Sequence, residues 1–231
     1  QKVEGRNFDI RKTLIKFDDV MNDQRQVIFG QRLKILKSEN ISETLESFLD
    51  EVVLSLTKIK NDYEKSNDKT VYLSAIKNIT GNILSDDELI NLTSISNNEF
   101  IKKLKDIFKL KHQERVELVG AAENNNIEKR IFLQIIDFSW RSHLQYLEQL
   151  RQVIGLRSYG QKDPLSEFKK EAFGLFEGLL EKIKTDVIKF LLNLNIVIKN
   201  QEEEKTEVQS PIQNKKIGRN DKCLCGSGKK Y

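Results

Sequence analysis

Leu150-Arg151-Gln152-Val153-Ile154-Gly155-Leu156-Arg157-Ser158-Tyr159-Gly160-Gln161-Lys162-Asp163-Pro164-Leu165 is the stretch that decides the fold. It separates two long apolar seams. Before it, Leu133, Ile136, Trp140, Leu144, Leu147, Leu150 and Ile154 recur at intervals of three and four. After it, Leu165, Phe168, Ala172, Phe176, Leu179, Ile183, Val187, Leu191 and Leu194 do the same. Such spacing puts every apolar side chain on one stripe of a helix. Asp163 suits an N-cap, and Pro164 behind it suits the first helical position, where a missing amide costs nothing. The pattern predicts an antiparallel αα-hairpin whose two seams pack on each other.

Working outward, residues 1–37 predict one long helix. Phe8, Leu14, Ile15, Val20, Met21, Ile28, Leu33 and Leu36 supply its apolar stripe, and no proline interrupts it. Residues 39–119 predict several shorter helices. Three possible capping boxes mark their starts: Asn40 with Glu43, Ser85 with Glu88, and Ser96 with Glu99. Leu45, Phe48, Leu49, Val52, Leu56 and Ile59 line one face after the first, and Phe100, Leu104, Ile107 and Phe108 line one after the third. Residues 71–80 fit a helix or a strand. Residues 198–217 are polar and charged, with Pro211 among them. They cannot bury enough apolar area to offset the entropy of ordering, and a disordered linker is expected there.

Composition agrees with an all-α chain. Only two prolines and eleven glycines occur in 231 residues, while 32% are charged. The net charge of +4 is uneven: residues 201–207 hold four glutamates and one lysine, and residues 215–230 hold six basic residues against Asp221. A basic arm behind an acidic spacer reads as a tethered interaction module. Two cysteines argue against a disulfide-stapled secreted protein and for a cytosolic setting. No apolar run reaches the roughly 18 residues of a membrane span, and there is no signal-peptide pattern. The chain begins with Gln1 and stops abruptly, so it reads as a piece cut at both ends.

Candidate chemistry is sparse. Cys223 and Cys225 sit in a basic, glycine-rich stretch. They read either as two thiols in a flexible tail or as half of a tetrahedral zinc site, which wants four soft or imidazole ligands. Tyr159, between Arg157 and Lys162, reads either as a chance aromatic in a solvated turn or as a contact for a partner. His143 reads as a helix-face residue rather than a ligand or a base, and Trp140 as core. Asp18, Asp19 and Asp23 read as a solvated face with partners such as Arg25 rather than a cation site. There is no phosphate-binding Gly-rich loop, no nucleophile elbow and no His-Glu-x-x-His. No catalytic residue is assigned.

Three motifs carry a resemblance. Gly218-Arg219-Asn220-Asp221-Lys222-Cys223-Leu224-Cys225-Gly226-Ser227-Gly228-Lys229-Lys230-Tyr231 resembles the terminal zinc motif of the SecA preprotein translocase motors. The stretch quoted at the outset is similar to the tip of their two-helix finger. Val3-Glu4-Gly5-Arg6-Asn7-Phe8-Asp9-Ile10-Arg11-Lys12, with Asp18-Asp19-Val20-Met21-Asn22 and Gln24-Arg25, resembles the start of their long scaffold helix. The three occur in the family's order and cover most of the chain, most weakly over residues 39–111.

The resemblance implies a division: residues 1–38 as the first scaffold segment, 39–119 as the helical wing, 120–200 as the second scaffold segment with its two-helix finger, 201–217 as a disordered linker and 218–231 as an incomplete zinc motif. It implies a parent that couples ATP hydrolysis, with magnesium, to moving unfolded secretory proteins through the SecY channel. The ATPase domains would precede residue 1, so this chain is not expected to hydrolyse ATP alone. Tyr159 matches the finger-tip tyrosine that touches the translocating polypeptide. Cys223 and Cys225 match two zinc ligands, with the family's cysteine and histidine ligands falling beyond Tyr231. The intact tail would meet the SecB chaperone and acidic phospholipid, and the protein would be cytoplasmic and peripheral at the bacterial inner membrane. This sequence departs from the family at Lys222 and Leu224, where proline commonly precedes each cysteine. The alternative is a free-standing helical adaptor whose basic tail binds nucleic acid or an acidic partner, which the motor reading does not expect.

Overall fold

The computed structural model describes residues 2–66, 69–81 and 83–196. Every regular element among them is helical: α1 (Lys2–Lys37), α2 (Ser42–Ser66), α3 (Lys69–Thr80), α4 (Asp86–Ser94), α5 (Asn97–Val119), α6 (Ala121–Ile154) and α7 (Pro164–Leu192). The stretch open to helix or strand is therefore the body of α3. The expected linker and terminal motif, residues 201–231, lie outside the described residues.

The hairpin forms as its seams require. In α6, Phe132, Ile136, Trp140, Leu147 and Ile154 are buried, and in α7 Phe168, Ala172, Phe176, Leu179, Ile183, Val187 and Leu191. Helix α1 lies along both. Its buried stripe is Phe17, Gln24, Ile28 and Ile35, while Phe8, Leu14, Ile15, Leu33 and Leu36 are exposed. The expected face was thus only partly right. Spacings of 7, 4 and 7 place the buried four on one narrow stripe, and α1 carries further apolar residues on its other sides. Periodicity alone does not say which stripe meets a neighbour.

Two of the three capping boxes form. Ser85 and Glu88 open α4, and Ser96 and Glu99 open α5, each with both reciprocal bonds. Asn40 does not cap Glu43. Its Oδ1 instead accepts from the Ser42 amide at 2.9 Å, and the first helical bond of α2 runs from the Leu45 amide to the Ile41 carbonyl. Ile41 takes the cap position because its side chain is buried. Asn125 ties down the chain entering α2: its Oδ1 accepts from the Ile41 amide at 3.4 Å and its Nδ2 donates to the Glu39 carbonyl at 2.6 Å.

Two glycines are needed for their backbone. Gly120, the single residue between α5 and α6, has φ 85° and ψ 154°, a conformation essentially closed to other residues. Gly81, at φ 61°, ends α3 so close to α7 that a Cβ there would sit 2.0 Å from Asn193 Oδ1. Helices α2, α3 and α5 pack on the C-terminal half of α7 and the N-terminal half of α6 in one large core that α4 joins against α3. A separate small core of Phe17, Leu147, Ile154, Phe168 and Ala172 holds the hairpin's far end against α1.

Candidate functional site

The far end of the hairpin is closed by short-range chemistry. Helix α6 runs into a 3₁₀ turn over Gly155–Gly160. Gln161 then turns left-handed at φ 59°. Its amide donates to the Ser158 carbonyl at 3.1 Å, and the Lys162 amide donates to the Arg157 carbonyl at 3.4 Å. This pair of bonds is the usual helix-ending motif that glycine favours. A glutamine there accepts strain of roughly 1 kcal/mol. Asp163 then caps α7 with its carboxylate, accepting from the Ser166 amide at 2.9 Å and hydroxyl at 2.6 Å. Those bonds favour the charged form and hold the Asp163 pKa below its ordinary value.

Both flanking cations are engaged. Arg157 Nη1 donates to Glu167 Oε2 at 2.8 Å, Arg157 also pairs with Glu171, and Lys162 Nζ lies 3.4 Å from the same Glu167 oxygen. The Arg157 hydrogen bond, followed by the nearby Lys162 charge, keeps the Glu167 pKa low. Tyr159 stands between them, 88% exposed, with Leu156 exposed beside it. The tip therefore offers a neutral aromatic and an aliphatic on a backbone fixed by caps. It suits apolar contact, and its balanced charge gives an anionic partner little to bind. Leu156 was not singled out from the sequence. The signal was a leucine outside both seams.

The other singled-out residues fall elsewhere. Trp140 is core. Asp18 pairs at 3.5 Å with Arg151 of α6, an interhelical partner rather than the expected Arg25. Cys223 and Cys225 lie outside the described residues, and no group of three metal-capable side chains occurs among the described ones. No described helix is long and apolar enough to cross a membrane.

Two buried polar groups stand apart from the tip, and His143, expected as a helix-face residue rather than a ligand or a base, belongs to the first. His143 is 5% exposed, set between the rings of Trp140 and Phe176 at 5.6 and 5.8 Å. Its Nε2 is 2.8 Å from Gln24 Oε1, and Gln24 Nε2 donates to the Ala172 carbonyl at 3.0 Å. Because that carbonyl can only accept, the Gln24 amide is oriented, and His143 must be the donor at Nε2. Burial lowers the His143 pKa and keeps the ring neutral. At the opposite end, Arg115 of α5 donates to the Leu191 carbonyl at 2.7 Å and Glu128 at 3.1 Å, with Asn124 bonded to the same carboxylate and His112 at 3.5 Å from it. This network spans the Gly120 break.

Residues 1–195 match the family model of the SecA Wing and Scaffold domain, and residues 219–231 match the SEC-C motif. The chain is 44% identical to the protein translocase subunit SecA of Pelagibacter ubique (strain HTCC1062), over all of this chain and 28% of that protein. It is 37% identical to the protein of the same name from Syntrophomonas wolfei, over all of this chain and 29% of that one. It is 38% identical to that of Hyphomonas neptunium, over 85% of this chain and 22% of that one. The chain thus spans less than a third of the length of these relatives.

Proposed function

Because this chain belongs to the SecA wing and scaffold family, we propose that it serves as the force-transmitting and polypeptide-contacting part of a preprotein translocase. In this reading residues 1–38 and 120–200 are scaffold, residues 39–119 are the wing, and the α6–α7 hairpin is the finger. ATP and magnesium belong to the remainder of the parent, not to this part. The hairpin reaches toward the SecY channel at the membrane surface, and Tyr159 with Leu156 makes contact with an unfolded preprotein. The observation that carries the reading is the tip itself: an exposed aromatic on a clamped turn whose cations are already neutralised. An aromatic surface grips many sequences, since every segment of unfolded chain offers some apolar area. The family assignment favours this reading over a nucleic-acid-binding adaptor.

Cys223 and Cys225, within the SEC-C match, supply two thiolates toward zinc. The donor chemistry suits that metal, whose closed structural site takes four such ligands. The basic residues around them give the tail its affinity for acidic phospholipid, and the SecB chaperone is its protein partner.

The decisive experiment places Tyr159→Ala in the complete motor. Translocation of a preprotein should fall several-fold while ATPase activity without preprotein stays near wild type. Unaltered translocation would remove Tyr159 from the mechanism.

A further inference from the structure

Helix α1 meets the hairpin through a seam of Phe17, Met21, Gln24, Ile28 and Ile35. Every member is apolar except Gln24. On α6 the facing seam runs Ile136, Trp140, His143, Leu147, Ile154, and His143 is its one strongly polar member. The two polar side chains meet each other, and Gln24 continues to the backbone of α7 at Ala172. Ala172, between the larger Phe168 and Phe176, leaves room for the amide to reach a helix carbonyl.

Apolar seams with repeated spacing tolerate sliding, because a shift by one turn again places knobs near holes. A directional hydrogen-bonded pair does not. After a slip, a buried imidazole N–H and a buried amide would both lose their partners, each at a cost. Single polar residues in coiled-coil seams fix register in this way, at some expense in stability.

We propose that the Gln24–His143–Ala172 relay is a register pin: it sets the axial position of α1 on the hairpin and makes the three helices move as one along that axis. Gln24 and His143 are thus positioning residues. The pin lies away from the tip, so axial movement of α1 is delivered to Tyr159 without slippage. The register claim does not depend on what Tyr159 touches, and the following test leaves the translocation reading untouched.

The test is a distance distribution between spin labels at Lys12 of α1 and Lys182 of α7, both exposed, in the 231-residue chain with Cys223 and Cys225 changed to serine. The unaltered pin should give one narrow distance. Gln24→Met with His143→Leu removes both polar groups at nearly constant volume. It should keep or raise the melting temperature and yet broaden or split the distribution by about one helical turn, ~5 Å. His143→Gln keeps a donor toward Gln24 and should restore the narrow distance. A narrow, unshifted distribution in the double variant would overturn the pin, since apolar packing with the exposed Arg32–Asp137 and Asp18–Arg151 pairs would then fix the register. If the double variant does not fold, Gln24→Met alone decides: a broadened distance supports the pin and an unchanged one overturns it.

Discussion

The two ends of the hairpin are held by different physics. At the base, helices α2–α5 and the C-terminal half of α7 share a large core, sealed by the buried Arg115–Glu128 pair. At the far end five buried side chains suffice, and the turn is shaped by a cap, a left-handed residue and exposed ion pairs to Glu167. The base draws on non-local burial, whereas the turn at the tip draws on backbone and capping bonds between residues a few positions apart. A contact surface needs exposure, so its shape must come from local bonds, and the stability of the whole must come from elsewhere.

The largest expected effect lies at the base. Arg115→Met leaves the Glu128 carboxylate buried and without its main cation, a situation that costs about 3–5 kcal/mol. Urea unfolding should show that loss, and Arg115→Met with Glu128→Met should recover most of it, since a pair replaced by well-packed apolar groups is often neutral. A double variant as weak as the single one would mean that the Leu191 and Asn124 bonds to Arg115, not the ion pair, secure the junction.

Phe168→Ala tests whether the two ends are separate. The ring is fully buried and packs edge-on against Phe17 at 4.9 Å. Its removal should cost about 3 kcal/mol. Hydrogen exchange should speed up around residues 147–172 and 17–21 while amides of α2 and α5 keep their protection. Equal acceleration in α2 and α5 would show one cooperative unit and erase the contrast.

A smaller effect concerns pH. Burial lowers the His143 pKa, so the folded chain binds fewer protons here than the unfolded one. Stability from this group is whole above the unfolded value of about 6.5 and is lost as pH falls from there through the folded pKa. The slope for one proton is at most about 1.4 kcal/mol per pH unit. Thermal melts between pH 7.5 and 5 should therefore show a fall that Gln24→Met with His143→Leu reduces. An identical fall in that variant would assign the dependence to other groups.

What the sequence revealed follows the same division. The α6 and α7 seams, the Ser85 and Ser96 caps and the Asp163-Pro164 start are local patterns, three or four residues apart, and they were legible. The stripe of α1 was not, because α1 carries apolar residues on more than one side and only packing selects among them. Asn40 failed as a cap because burial of Ile41 moved the helix start by one residue. Gln24, Arg115 and Glu128 escaped, and His143 was read only as a helix-face residue, because a periodicity of apolar residues passes over polar ones. A signal existed in hindsight: Gln24 falls between Met21 and Ile28, and His143 between Trp140 and Leu147, each in a seam position. Tyr159 was legible as exposed and aromatic. Its neutral setting was not, since Glu167 and Glu171 reach Arg157 only once the hairpin closes.

The smallest effect is the sharpest test of the comparison. Tyr159 is nearly fully exposed, and its ring appears in no aromatic pair among the described residues. Tyr159→Ala removes little buried area, so its stability change should stay within about 0.5 kcal/mol. The turn should also persist, because the bonds from Gln161 and Lys162 to Ser158 and Arg157 are backbone bonds, and Asp163 still caps α7. A melt and an exchange profile indistinguishable from wild type, beside a motor defect, would mean that the tip is shaped independently of the side chain it presents. A destabilisation of 2 kcal/mol or more would instead make Tyr159 part of the local structure. The clean separation between a base that stabilises and a tip proposed to make contact would then fail at the residue where it matters most.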